Sequence, residues 1–108
     1  MDTLPIVDVA FDIANSDEKM PVRVFAPKQE RAEEWSCSFE IGAPISIERT
    51  IYGVSSLQAL MLGLKTLAVY LYGSDAYERR EIGLYGEFGG HLTIPAPVEY
   101  LDIAPYPF

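Results

Sequence analysis

His91 is the only histidine in this chain, and Cys37 is its only cysteine. An imidazole works as a general base only when a polar partner orients it inside a pocket. Glu87 is the nearest acid in sequence, but it and His91 straddle a turn, so His91 reads as a hairpin residue. Cys37 alternates with Trp35 and Phe39, which places it inward as a small hydrophobe. A reactive thiolate needs a positive neighbour, and Cys37 has Glu34 and Glu40 nearby instead. One histidine and one inward cysteine do not supply zinc-ligand spacing, so neither metal nor cofactor is expected. Asp8 with Asp12, or Glu40 with Glu48, are possible carboxylate pairs of the kind glycosidases use. On the wet face of a sheet such acids read as solubilising charges.

Arg49 falls on the apolar side of its strand. Pairing with Glu34, Glu40 or Asp75 makes it a structural anchor; without such a pair it is free to take an anion. The start of a helix at Ser55-Ser56 offers unbonded amides to an anion, although a capping box uses some of them. Arg49, Ser55, Ser56 and His91 define the alternative reading, a small anionic-ligand-binding protein or enzyme with a pocket near the helix start. Gly53, Gly83, Gly86 and Gly89-Gly90 lack the Gly-Lys-Ser signature of a phosphate loop. No residue is assigned a catalytic role.

These groups must be held by strands and one helix. Val7, Val9, Phe11 and Ile13 alternate with Asp8, Ala10 and Asp12, the period of a half-buried strand. Asn15-Ser16-Asp17 is a turn cluster, and residues 22–25 form a short strand bracketed by Pro21 and Pro27. Trp35, Cys37, Phe39 and Ile41 repeat the alternation, and Ile45, Ile47 and Ile51 continue it after Gly42 and Pro44. Four strands with short connections predict an antiparallel meander. Gly89-Gly90, between residues 82–88 and 91–94, predicts a two-residue hairpin. Prolines 95, 97, 105 and 107 make a proline-rich tail.

Residues 56–72 predict one long apolar helix, with Ser55 and Gln58 as its capping box and Gly73 as a left-handed stop. Leu57, Leu60, Met61, Leu64, Leu67, Ala68 and Leu71 form a stripe at helical spacing, expected to lie on the sheet. The opposite face carries Ala59, Leu62, Gly63, Thr66, Val69 and Tyr70, and Lys65 is the helix's one charge. A helix without a charged face needs a second cover. Either the tail folds back, or a second copy docks here to make a homodimer; the small Ala59 and Gly63 would let two helices approach closely.

The chain has 108 residues, enough for a single domain over 1–108. Sixteen acids against eight bases give a net charge of −8, which disfavours nucleic acid as a partner and favours a basic protein. No apolar run reaches the roughly 20 residues a membrane span needs. The first residues, Met1-Asp2-Thr3-Leu4-Pro5, lack the basic start of a signal peptide. A cytoplasmic location is expected.

Two blocks carry a family resemblance. One is Trp35-Ser36-Cys37-Ser38-Phe39-Glu40-Ile41 with Arg49; the other is Gly53-Val54-Ser55-Ser56-Leu57-Gln58-Ala59-Leu60-Met61-Leu62-Gly63-Leu64. With Gly89-Gly90 and Pro95, they resemble a family of short bacterial single-domain proteins of unknown function. The resemblance supports the fold and implies no catalytic residue; by analogy, small acidic domains serve as immunity or accessory proteins. The expectation is therefore an α+β domain, an antiparallel meander of four or more strands packed by one long helix, with a C-terminal hairpin. Its expected role is a non-enzymatic protein–protein interaction module.

Overall fold

The computed structural model describes residues 4–97. In chain order the elements are β1 (Pro5–Ile13), β2 (Lys19–Phe25), β3 (Lys28–Arg31), β4 (Glu34–Ile41), β5 (Ile47–Gly53), α1 (Ser56–Tyr72), α2 (Asp75–Glu78), β6 (Ile82–Leu84) and β7 (Glu87–Phe88). The fold is α+β, with one mostly antiparallel sheet curled into a half-barrel around a helix.

The strands form because their alternation buries one face. Met20, Val22 and Val24 of β2 and Cys37, Phe39 and Ile41 of β4 are all buried. Antiparallel pairing joins β1 to β2, β2 to β4 and β4 to β5, which is the expected meander. β5 runs the length of one edge of β4, from Ile41↔Ile47 to Trp35↔Gly53. β2 and β3 therefore share the other edge, divided at Pro27, whose missing N–H interrupts the ladder. The Cys37 thiol donates to the Phe25 carbonyl beside this joint, at 3.5 Å. β6 joins β1 only through Asp12↔Gly83 and Ile13↔Ile82.

The C-terminal hairpin turns at a different place from the one expected. Tyr85-Gly86 connects β6 to β7, with φ of 53° and 79°, the paired positive values of a type I′ turn. Gly89-Gly90 follows β7, and residues 91–94 form no strand. Gly83 allows the tight pairing, since a Cβ there would lie 2.0 Å from the Glu87 carbonyl oxygen.

Helix α1 also departs from expectation at its end and in its orientation. Gly73 stops it with φ −89°, not in the left-handed region, and its N–H bonds back to Val69. Ser74 then caps α2, which carries buried Ala76 and Tyr77; two apolar residues were too few to reveal this turn in a polar stretch. At its start α1 packs through Ala59 and Gly63, both buried, while Leu57 and Met61 are exposed. Ala59 and Gly63 are thus not on an outer face. They allow close contact with the sheet: a Cβ on Gly63 would sit 3.1 Å from the Cys37 sulfur, and one on Gly53 would sit 2.7 Å from the Ala59 nitrogen. Leu62 and Val69 do face outward, with Thr66 and Tyr70 half-buried. The proline-rich tail from residue 98 on, one of the two expected covers for α1, lies outside the described residues.

The Asp12 carboxylate accepts from the Lys19 ammonium and, at 2.9 Å, from the Gly86 N–H. The Lys19 bond first, then the Gly86 amide, hold its carboxyl below the usual carboxylate range. A carboxyl lowered by folding adds stability above its unfolded pKa and loses it as pH falls through the folded value. Asp12→Asn should therefore lower the urea midpoint at pH 7 and reduce its further decline below about pH 4. Gly53→Ala, which drives a methyl into helix backbone, should cost about 1–3 kcal/mol in the same denaturation.

Candidate functional site: an apolar cleft beside an open strand edge

The residues singled out for anion chemistry are dispersed by the fold. Arg49 lies at the exposed edge formed by β5, where its Nε donates to the Tyr70 hydroxyl at 3.1 Å. Its guanidinium carbon stands 5.1 Å from the Tyr70 ring centroid, a cation–π distance. One Nη donates to the Glu48 carbonyl oxygen at 2.7 Å. None of the expected partners, Glu34, Glu40 or Asp75, forms an ion pair with it. Arg49 has an aromatic partner because Tyr70 leans out from α1 over β5, with Phe39 behind it at 6.2 Å.

Ser55 is engaged as a cap. Its hydroxyl accepts the Gln58 N–H at 3.0 Å, and Gln58 Oε1 accepts the Val54 N–H at 2.7 Å. Ser56 is the first, exposed residue of α1. His91 is half-buried, and its Nδ1 accepts the Thr93 N–H at 3.0 Å. The segment carrying His91 is fixed to the far end of α1. The Tyr72 hydroxyl accepts the Leu92 N–H at 2.9 Å and donates to the Ile94 carbonyl at 2.8 Å. The Tyr77 hydroxyl donates to the Gly90 carbonyl, also at 2.8 Å. Ser56 and Tyr72 lie about 24 Å apart at 1.5 Å per helical residue. Tyr70 and Tyr72, two residues apart, point to opposite sides of α1, so Arg49 and His91 are attached to different flanks.

The carboxylates keep to the outer face of the sheet. Arg23 contacts Asp8 at 3.3 Å and Glu40 at 3.2 Å, and Glu40 pairs in register with Glu48. Ser36 donates to Glu30 at 2.6 Å, and this bond, with Lys28 assisting, lowers the Glu30 pKa. Burial raises the Cys37 thiol, which keeps it an inert core group. Among the described residues no set of three or more His, Cys, Asp or Glu side chains is grouped to hold a metal ion. No helix among them is long and apolar enough to cross a membrane.

What the fold does assemble is a cleft of about 560 Å³ on the inner side of the sheet. Its floor is Val7, Val9 and Phe11 of β1 with Val22 and Val24 of β2. One wall is α1, from Met61 and Leu64 to Leu71, and the end is closed by Leu92, Thr93, Ile94 and Pro95. Among the described residues, Lys65 is its one charged lining residue. The cleft lies between α1, which packs on β4 and β5, and the β1–β2 side of the sheet, where Phe11, Val22 and Val24 are buried and Val9 is exposed. β1 also has an edge that the described residues leave largely unpaired. It pairs with β2 along its length, but with β6 only at Asp12 and Ile13. Among the described residues, nothing pairs with the far edge of residues 5–11. Alternate N–H and C=O groups of that edge point outward, beside the cleft.

Sequence reasoning missed this site. Val7, Val9 and Phe11 were legible as an apolar strand face, but not that a cleft would form between them and the helix. Tyr72 and Tyr77 were also missed; the available signal was two tyrosines bracketing Gly73-Ser74. Tyr72→Phe removes the acceptor of the buried Leu92 amide, so it should cost about 1–3 kcal/mol. It should also speed hydrogen exchange at Leu92 more than at Cys37.

No curated protein and no solved structure matches the chain. Residues 9–96 match a domain of unknown function, DUF6968, a span that takes in β1 from Val9, the meander, both helices, the hairpin and the tyrosine-held segment. The chain belongs to the DUF6968 family.

Proposed function

We propose that this domain is a non-enzymatic protein–protein interaction module of the accessory or immunity type. Its working surface is the cleft between α1 and the β1–β2 side of the sheet. The observation that carries this reading is the conjunction of an apolar cleft with a strand edge that, among the described residues, is paired only at Asp12 and Ile13. A strand edge offers main-chain hydrogen bonds, and a cleft beside it takes alternate side chains, which is how sheets capture extended peptides. The partner is then an extended protein segment with apolar side chains at every second position. Val9 of β1 and Met61 of α1, both lining the cleft, are exposed and available to a partner. The net charge of −8 supports basic residues on the partner outside the inserted segment, which would hasten encounter at low salt. The role is placed in the cytoplasm on the reading of the first residues and the lone cysteine, and in a bacterial cell on the family resemblance.

Capture from the source cells tests this. The intact chain is compared with Val9→Asp, which charges the cleft floor, and with Thr50→Asp, an exposed outer-face control. One protein, identified by mass and then purified, should bind the intact chain and the control and lose at least tenfold in affinity for Val9→Asp. Its association rate should fall as salt rises. Equal binding by all three chains would exclude the cleft as the working surface.

A further inference from the structure

The end wall of the cleft contains a strained residue. Among the described residues, Asn15, Ser46, Arg80, Tyr85 and Thr93 are the non-glycine positions with positive φ, and Thr93, at 64°, is the β-branched one. A branched β-carbon makes this conformation an outlier. Such strain persists only where the surroundings hold it, and it gathers at clamps and switch regions. At Thr93 the holder is the Tyr72 hydroxyl, which accepts the Leu92 N–H on one side and donates to the Ile94 carbonyl on the other, at 2.9 and 2.8 Å. Leu92 is only 1% exposed, and the Tyr77 hydroxyl holds the Gly90 carbonyl at 2.8 Å. Residues 90–95 contain no helix or strand; these bonds hang them from side chains of the two helices.

We propose that residues 90–95 form a gate at this end of the cleft, latched shut by the Tyr72 hydroxyl and strained towards opening at Thr93. One oxygen makes both latch bonds, so a segment drawn away from it loses both together. Thr93 then returns to an extended conformation, and Leu92 leaves the core. The place it vacates lengthens the cleft, because Leu92 and Thr93 both line the end wall. The gate rests on the module reading above and adds its regulation. The partner's extended segment is held with the gate open, and one of its apolar side chains takes the place of Leu92. That replacement gives the partner unequal affinities for the two states, which any shift of population requires. While the gate stays mostly shut, the apparent affinity is lowered by the fraction that is open.

Amide hydrogen exchange on the full chain, isolated and in rising urea, tests the gate. The Leu92 amide should be at least tenfold less protected than the Cys37 amide and respond more weakly to urea, the mark of a local opening. Thr93→Asn supplies a residue that tolerates the left-handed region and should raise Leu92 protection at least threefold. Thr93→Val keeps the branched β-carbon and should not raise it. Equal protection of Leu92 and Cys37 with one urea dependence would overturn the gate, as would a Thr93→Asn chain no better protected than Thr93→Val. The captured partner supplies a second readout. It should bind Tyr72→Phe at least threefold more tightly than the intact chain, and Thr93→Asn at least threefold more weakly than Thr93→Val. Equal affinities across these chains, with capture still lost in Val9→Asp, would remove the gate alone. Capture that ignores Val9→Asp would remove the module reading, while exchange in the isolated chain still decides whether the gate opens.

Discussion

The close approach of α1 to β4 and β5 sets the rest of the structure. At Gly53 a methyl group would strike the Ala59 backbone, and at Gly63 it would press tightly on the Cys37 side chain. Backbones brought this near exclude water and fix the helix on one side of the curled sheet. Interiors packed to crystal-like density do not slide, so this seam decides where every other residue of α1 points. Leu57 and Met61 are turned outward because Ala59 and Gly63 are turned in.

The opposite side of the sheet follows from the same seam. A single helix of 17 residues cannot pack evenly on all of a seven-stranded sheet, and fixing it over β4–β5 leaves a cleft against β1–β2. At the C-terminal end of α1 the gap is closed by the segment around Leu92 and Ile94. Tyr72 holds that segment with one hydroxyl that both donates and accepts. Tyr77 packs edge-on against Tyr72 at 5.1 Å and ties down Gly90. A phenol suits this place because its ring fills the core while its hydroxyl pairs with buried backbone. Towards the middle of α1 no such segment is described, and the cleft remains.

Charge is distributed to match. The acids of the outer face are neutralised locally by Arg23, Lys19 and Lys28 and so stabilise strand pairing without building a site. Arg49, the cation that looked misplaced on an apolar strand face, is accommodated by the Tyr70 ring and hydroxyl. A guanidinium is weakly hydrated and stacks well on an aromatic face, which explains how it sits at the sheet border with no acid beside it.

Period and punctuation in the sequence determined the elements: alternation set β1, β2, β4 and β5, the short connections set the meander, and Ser55 with Gln58 set the start of α1. These are local signals, carried by residues two to four positions apart. Local signals failed where spacing allowed two answers. Gly89-Gly90 and Tyr85-Gly86 both permit a tight turn, and only the fit of Gly83 against Glu87 chose between them. On α1, nearly every face is apolar, so periodicity could not say which would be buried. The tertiary structure decided that by volume, because the side with the smallest residues comes closest to the sheet. The cleft and the stretch of β1 edge that no described residue pairs depend on that choice and on where β6 stops pairing, and neither is written in any one stretch of the chain.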